Sequence, residues 1–446
     1  MITRGIWRRH RGHSSRLVLY VICALVWALV VAASTTAARR SAAEPAGAVV
    51  AAPAVPVAWA AAAAPSATEL SLQLQSLLGQ HTVLAADMMR GRVRGDPDLA
   101  QAANAALGKN TDAMGQIVGT MFGDAAKNQF TTMWASHVQA FFNYARGLAD
   151  KDAAVRSQAE ATIAKFESDL AAFFSAAAQG RLPTATAQAV IKEHVDHLLH
   201  QADEYAAGDY AQADKTYRQA YSQAFGIGKA LASTLLPPDV AARLNTPTWR
   251  LRSELDRLLG EHVVLVIAAM RAGVTNAPDF AAAASTVNGN TRDLAGAVET
   301  LFGQAAGQRF QSLWADHVDA LIRYAGGLVK QNATQRSAAK TELSGFERDF
   351  AAFLGTATRN RISTAALAKA FLMHDQMLIG EVEAFVAKDY RKAHDLAYST
   401  YQDMFGLAGQ LSNAFGATVA SRLPVGAVQT GRGGMAAVVA RREHGG

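Results

Sequence analysis

The stretch "MWASHVQAFFNYA" (133–145) returns, almost unchanged, as "LWADHVDALIRYA" (313–325). Both copies keep a tryptophan, a histidine and a tyrosine at the same places. Larger side chains in the first copy recur at alternating intervals of four and three residues, which places them on one face of an α-helix. These positions are Phe130, Trp134, His137, Phe141, Tyr144 and Leu148. The repeated stretch therefore predicts two equivalent amphipathic helices, each with a histidine in its buried stripe.

The repetition extends well beyond this phrase. "LLGQHTVLAADMMR" (77–90) matches "LLGEHVVLVIAAMR" (258–271), and "NTDAMGQIVGTMFG" (110–123) matches "NTRDLAGAVETLFG" (290–303). Similarity that keeps the same order along the chain indicates a duplicated structural unit. A proline-rich segment, "LLPPDVAARLNTPTW" (235–249), lies at the join. We therefore predict a first helical repeat, a linker and a second helical repeat over residues 69–236, 237–249 and 250–423.

Composition favours helices over strands. Alanine runs occur throughout, the 446 residues include only 11 prolines, and no segment alternates as a strand would. The predicted main helices of the first repeat are Leu70–Arg90, Asp124–Asp150, Ala153–Ala178, Thr184–Ala207 and Tyr210–Leu235, with a shorter helical segment at Pro97–Phe122. Short connections and one-sided apolar stripes predict an all-α fold of two tandem antiparallel bundles, with about five main helices each.

The N-terminus resembles a targeting segment. Arginines precede the apolar run "LVLYVICALVWALVVAA" (17–33), a pattern typical of a secretory leader. The run is long for a signal peptide and short for a membrane span, so residues 1–41 are either a signal peptide or a helical membrane anchor. Both alternatives predict that the body of the chain is extracytoplasmic, either secreted or anchored to the cytoplasmic membrane. We expect residues 42–68 to form an alanine- and proline-rich tether, and residues 424–446 a flexible tail.

Charge and cysteine content exclude two classes of function. The net charge of +6 comes from the two ends of the chain, because residues 41–426 carry three more acidic than basic side chains. Without a basic face interleaved with aromatic residues, nucleic acid is not an expected partner. The single cysteine, Cys23, lies inside the leader, so the body has neither disulfides nor thiolate chemistry.

Histidines recur near the middle of the predicted helices. With a rise of about 1.5 Å per residue, the midpoints of antiparallel helices meet at one level of a bundle. We therefore predict a layer of three histidines and one tyrosine in each repeat. These candidate metal ligands are His81, His137, His194 and Tyr221 in the first repeat, and His262, His317, His374 and Tyr401 in the second.

Such a layer has two interpretations. Imidazole nitrogens are preferred ligands of zinc and copper, and three of them with one oxygen complete a tetrahedral shell. This predicts an exported or membrane-tethered, non-enzymatic binding protein that holds a metal ion, copper or zinc, or a small cofactor in each bundle. Neutral imidazoles and a phenol also form buried hydrogen-bond networks that only fix packing. This second interpretation predicts a cell-envelope interaction or scaffold protein, with an envelope protein as its partner.

The segments "LLGEHVVLVIAAMR", "NTRDLAGAVETLFG" and "LWADHVDALIRY" resemble a family of exported bacterial helical-repeat proteins that is sometimes labelled copper amine oxidase-like. The resemblance covers both repeats and implies no particular site. Copper amine oxidases make their cofactor from the tyrosine of T-x-x-N-Y-[DE], and the nearest segment here, "AFFNYA" (140–145), has alanine at both ends. The chain also lacks H-E-x-x-H, G-x-S-x-G and a phosphate-binding loop, so we do not expect an enzyme.

Overall fold

Two sets of six long helices make up most of the described chain. The computed structural model describes residues 66–421. Within that range it contains thirteen α-helices and no strand, which confirms the predicted all-α class. The helices of the first repeat are α1 (Ala67–Val93), α2 (Pro97–Phe122), α3 (Asp124–Ala149), α4 (Ala153–Ala177), α5 (Thr184–Ala206) and α6 (Tyr210–Leu235).

A short connection leads into the second repeat. It consists of α7 (Pro238–Ala241) and a 3-10 turn (Ala242–Asn245). The helices of the second repeat are α8 (Pro247–Thr275), α9 (Phe280–Phe302), α10 (Gln304–Val329), α11 (Ala333–Ala357), α12 (Thr364–Val386) and α13 (Tyr390–Ala420). Helices that follow one another along the chain pack side by side, as expected of antiparallel bundles.

The segment Pro97–Phe122 is a full-length helix. It has 26 residues, as many as α3 and α6. Asp96 caps its N-terminus by accepting a hydrogen bond from the backbone N–H of Leu99. Pro97 occupies the first helical position, where its missing N–H has no role. Each repeat therefore has six main helices, one more than the sequence pattern predicts.

Glycines make the tightest turns of both bundles. Gly123 alone joins α2 to α3, and Gly303 alone joins α9 to α10. Their φ angles are 85° and 91°, in the left-handed range that residues with a Cβ rarely adopt. This sharp reversal sets the third helix of each repeat against both the first and the second. The histidines of the third helices, His137 and His317, are consequently buried.

The first helix of each repeat lies at the centre of its bundle. α1 packs against α2, α3, α5 and α6, and α8 packs against α9, α10, α12 and α13. Contact on most sides explains why α8 is apolar around much of its circumference. Among the described helices, α8 is the one long and apolar enough to cross a membrane, and 72% of its most apolar window is buried inside the protein. The predicted leader and tail, and nearly all of the tether, lie outside the described residues.

The two repeats face each other through equivalent surfaces and belong to one compact unit. α6 packs against α9, and α13 packs in the equivalent way against α2. A Cβ added to Gly79 would lie 2.5 Å from the Tyr401 hydroxyl, and one added to Gly260 would lie 2.6 Å from the Tyr221 hydroxyl. These matching contacts relate the repeats by an approximate two-fold axis.

Candidate metal centre

Three helices of each repeat bring their histidines to one level of the bundle. In the first repeat, α1, α3 and α5 carry the repeat-1 trio, which consists of His81, His137 and His194. In the second, α8, α10 and α12 carry the repeat-2 trio, which consists of His262, His317 and His374. The structure thus brings the six predicted histidines together as two groups of three.

The repeat-2 trio forms a nearly equilateral triangle. The ring centroids are 5.6 Å apart for His262 and His317, and 5.9 Å apart for His262 and His374. The third separation, between His317 and His374, is 5.8 Å. One ring nitrogen from each residue lies within 4.8 Å of the other two. Across residues 66–421, this is the only group of three or more histidine, cysteine or acidic side chains that converges so closely.

The repeat-2 trio is closed to solvent. The exposed fractions of its side chains are 0% for His262 and His317 and 1% for His374. Phe346 stacks on the ring of His317, with 4.3 Å between centroids, and Trp314 lies 4.6 Å from the ring of His262. Burial lowers the pKa of His374 to about 4, and lowers the pKa values of His262 and His317 well below the ordinary value. The imidazoles are therefore neutral near pH 7, the form that binds metals.

Most nitrogens of the repeat-2 trio lack a hydrogen bond. The indole N–H of Trp314 donates to Nδ1 of His262 over 3.1 Å. The other five ring nitrogens are buried and have no hydrogen-bond partner among the residues that the structure describes. A buried polar group without a partner costs about 1–3 kcal/mol. The trio in this state therefore weakens the fold unless it binds something.

A buried carboxyl group, Asp375, accompanies the repeat-2 trio. It is 2% exposed, and its Oδ1 lies 3.3 Å from Nδ1 of His317. The contact does not have the geometry of a hydrogen bond, and neither atom has a hydrogen-bond partner within the described range. Burial raises the pKa of Asp375 well above the ordinary value. Sequence reasoning missed this residue, although its counterpart in the first repeat is the apolar Val195.

The repeat-1 trio has a different arrangement. The Nε2 atoms of His81 and His137 lie 3.2 Å apart and share a hydrogen bond, so one carries the proton and the other accepts it. The ring of His194 stands 6.3 Å from that of His81. Burial lowers the pKa of His137 to about 3 and that of His194 to about 4. Two nitrogens of this trio are therefore hydrogen-bonded to each other.

The two candidate tyrosines point into the contact between the repeats. The hydroxyl of Tyr221 donates to that of Tyr401 over 3.1 Å, and Tyr401 donates to the backbone carbonyl of Ser76 over 3.4 Å. These bonds correct the expectation that a tyrosine oxygen joins each set of histidines. Tyr221 lies near the midpoint of α6, whereas Tyr401 lies nearer to the start of α13, which has 31 residues. Each tyrosine faces the opposite repeat.

Coordination by the repeat-2 trio requires a small rearrangement. Zinc–nitrogen bonds of about 2.0–2.1 Å place tetrahedral ligand atoms about 3.3 Å apart, whereas the nitrogens of the trio converge to within 4.8 Å. Because indole is a donor only, Nδ1 of His262 is unprotonated and its Nε2 carries the ring proton. A metal at that Nε2 therefore requires the bond from Trp314 to break. His317 has no such obstacle, because neither of its ring nitrogens has a hydrogen-bond partner within residues 66–421.

Comparisons with known proteins give no assignment. No protein-family model, curated protein or solved structure matches this chain. The resemblance to exported helical-repeat proteins therefore stays a prediction, and the function has to be inferred from the site itself.

Proposed function

We propose that the chain is an exported or membrane-tethered, non-enzymatic protein that holds one copper or zinc ion in the repeat-2 trio. The observation that carries this proposal is the convergence of three buried imidazoles, with a nitrogen of each within 4.8 Å of the others. Five of the six nitrogens have no other partner within the described structure. Neutral imidazole is a preferred ligand of both ions, and one ion would give three nitrogens a partner at once.

Asp375 supports a cation over an uncharged ligand. A cation surrounded by three neutral imidazoles leaves an uncompensated charge in an apolar core, which is costly. Burial raises the pKa of Asp375, whose Oδ1 lies 3.3 Å from Nδ1 of His317. A cation bound next to it would favour the ionised carboxylate, which would offset one unit of that charge. A monovalent copper ion would be neutralised, and a zinc ion would keep one charge for a bound hydroxide or anion.

The enclosure of the site supports a binding role over catalysis. A catalytic metal keeps one coordination position open to substrate, whereas His262, His317 and His374 are at most 1% exposed. An enclosed ion suits tight storage, transport or stabilisation of the fold. Entry of the metal then needs opening of the bundle, so we expect slow binding and slow release.

A structural role is the second candidate function, and the repeat-1 trio favours it for that half of the chain. The bond between His81 and His137 satisfies two nitrogens without any ion. If the repeat-2 trio also binds no ion, the chain is a cell-envelope scaffold whose partner is another envelope protein. In both versions, export rests on the leader pattern at residues 17–33.

The metal content of the purified protein tests the proposal. The exported chain would be prepared without a histidine tag or chelator, and its copper and zinc would be measured by elemental analysis. We expect about one ion per chain in the parent and in the His137→Gln variant, which alters the repeat-1 trio, and no ion in the His317→Gln variant. A parent that contains no metal and takes up neither ion on titration would overturn the proposal. Equal loss in the two variants would assign the ion to another place.

A further inference from the structure

A cavity of about 290 Å³ lies between the repeats, on one side of the approximate two-fold axis. Helices α1, α2 and α6 of the first repeat and α8 and α13 of the second form its wall. Apolar side chains such as Val83, Val264 and Ile267 contribute much of this wall, and the two histidine trios do not line it. Its volume is near the lower end of the range for small-molecule sites.

An ion-paired cluster fills the equivalent position on the other side of the axis. The guanidinium of Arg218 donates two hydrogen bonds to the carboxylate of Glu261, at 2.9 and 2.8 Å. It donates a third, at 2.8 Å, to Asp293. Glu261 is only 1% exposed, so the Arg218 cluster packs the space between α6, α8 and α9.

The register of the duplication explains why one side is filled and the other is open. Arg218, Glu261 and Asp293 correspond in the two repeats to Tyr398, Gln80 and Ala113. All three counterparts line the cavity. At the cavity, one aromatic, one amide and one small side chain therefore occupy the positions that hold the charged cluster on the other side.

The surrounding helices keep the same placement on both sides. Asn110 donates to the side-chain oxygen of Gln80 over 2.7 Å, and its counterpart Asn290 donates to that of Glu261 over 2.9 Å. These matching bonds indicate that the surrounding helices have the same placement on both sides, so the two sides differ in their side chains. The differences include Lys109, which lines the cavity and has Gly289 as its counterpart.

We propose that this cavity binds a small, uncharged, mainly apolar molecule of about one or two rings. Each fully charged side chain that lines it already has an ion-pair partner. The pairs are Arg271 with Asp87, Arg90 with Asp214, and Lys109 with Asp395, each at 2.8 Å. A charged ligand would lose its hydration without gaining a counter-charge. Tyr398, which is 39% exposed, and Gln80 provide polar groups that orient an uncharged ligand.

The test exchanges the side chains at the three pairs of counterpart positions. A closing variant carries Tyr398→Arg, Gln80→Glu and Ala113→Asp, which copies the Arg218 cluster into the cavity. An opening variant carries the reverse changes at the counterpart positions, Arg218→Tyr, Glu261→Gln and Asp293→Ala. The probe is 5-fluoroindole, whose fluorine NMR signal reports the bound fraction and the stoichiometry during titration. Thermal unfolding, monitored by circular dichroism, establishes that each variant is folded.

We expect the parent to bind one probe molecule per chain, and the closing variant to bind it at least about 10-fold more weakly. The opening variant should bind two probe molecules, because the charged cluster that fills the other side of the axis is then removed. Binding to the folded closing variant as strong as to the parent would overturn the proposal, as would a parent that does not bind the probe. If the closing variant does not fold, the stoichiometry of the opening variant tests the proposal. If the opening variant does not fold, the affinity of the closing variant tests it.

Discussion

The hydroxyl groups of Tyr221 and Tyr401, which occupy the same position of the two repeats, share a hydrogen bond of 3.1 Å. Both residues are buried, with exposed fractions of 0% and 2%. Each also packs over the glycine of the opposite repeat, Gly260 or Gly79. A surface that contacts its own equivalent is the hallmark of a two-fold homodimer. The chain therefore contains, within one polypeptide, the type of interface that joins two identical subunits.

Replacing Gly79 by alanine should weaken this interface. The new Cβ would lie 2.5 Å from the Tyr401 hydroxyl and 2.8 Å from a ring carbon of Phe225, and such overpacking costs about 1–3 kcal/mol. Gly108→Ala is the matched control, because a Cβ there meets nothing within 4 Å in the described range. It should stabilise its helix by about 0.5–1 kcal/mol. Urea unfolding measures both effects, and a Gly79→Ala variant as stable as the parent would contradict the packing at this interface.

Breaking the buried ion pair of Arg271 should be far more costly than breaking an exposed pair. Arg271 is 5% exposed and pairs with Glu381, which is fully buried, at 2.8 Å. Glu381→Ala removes one partner of a buried pair, which typically costs about 3–5 kcal/mol. Lys109→Ala breaks an exposed pair with Asp395 and should cost less than about 1 kcal/mol. Equal midpoints of urea unfolding for the two variants would contradict this difference.

His394 should make the fold sensitive to mild acid. Burial, followed by the charge of Arg271, lowers its pKa from 6.5 to about 4. Because the unfolded chain binds the proton more readily, the free energy of unfolding is highest above about pH 6.5 and falls as the pH drops toward about 4. Since one pKa unit corresponds to about 1.4 kcal/mol, this one side chain should lower the free energy of unfolding by about 3 kcal/mol over that range.

The matched variants for this pH effect are His394→Asn and His200→Asn. His200 is exposed, so its replacement should leave the acid sensitivity of the chain unchanged. His394→Asn should reduce the loss of stability between about pH 7.5 and pH 4.5. Urea unfolding at both pH values supplies the comparison, and identical pH dependence in the two variants would exclude His394 as a source of acid sensitivity.

Trp314→Phe should strengthen metal binding. The bond from the indole N–H to Nδ1 of His262 has to break before Nε2 accepts a metal. Such a hydrogen bond contributes about 0.5–1.5 kcal/mol of net stability. Its removal should therefore raise the affinity for zinc by up to about 10-fold. Trp134→Phe is the control, because the indole N–H of Trp134 has no partner among residues 66–421. Competition with a colorimetric chelator measures both affinities, and a weaker site in Trp314→Phe alone would refute this assignment of the ring proton.

Periodicity and helix length were sufficient to predict the trios. The intervals around His137 and His317 identify the buried face of α3 and α10, and the midpoint rule gives the height of each histidine. The direction of Tyr221 depends instead on a contact with Tyr401, which lies 180 residues away. No pattern within one helix contains that information, so the sequence pattern does not show which repeat each tyrosine faces.

Other features needed the structure for different reasons. Small and polar residues interrupt the apolar pattern of the helix at Pro97–Phe122. Its full length becomes clear only from its packing on α1 and α3. Asp375 adjoins His374, and comparison with the buried Val195 of the first repeat would have identified it as a carboxyl group in an apolar position. The cavity next to Tyr398 is lined by residues of both repeats, which only the fold brings together.

The ligand shell of the metal-loaded protein tests the central claim most directly. X-ray absorption at the copper or zinc edge gives the type of ligand atom and its distance from the metal. The repeat-2 trio predicts nitrogen ligands at about 2.0 Å with the outer-shell scattering of three imidazoles, reduced to two imidazoles or lost altogether in the His374→Ala variant. A shell of oxygen atoms with no imidazole scattering, or a spectrum unchanged in that variant, would contradict the assignment of the metal to His262, His317 and His374.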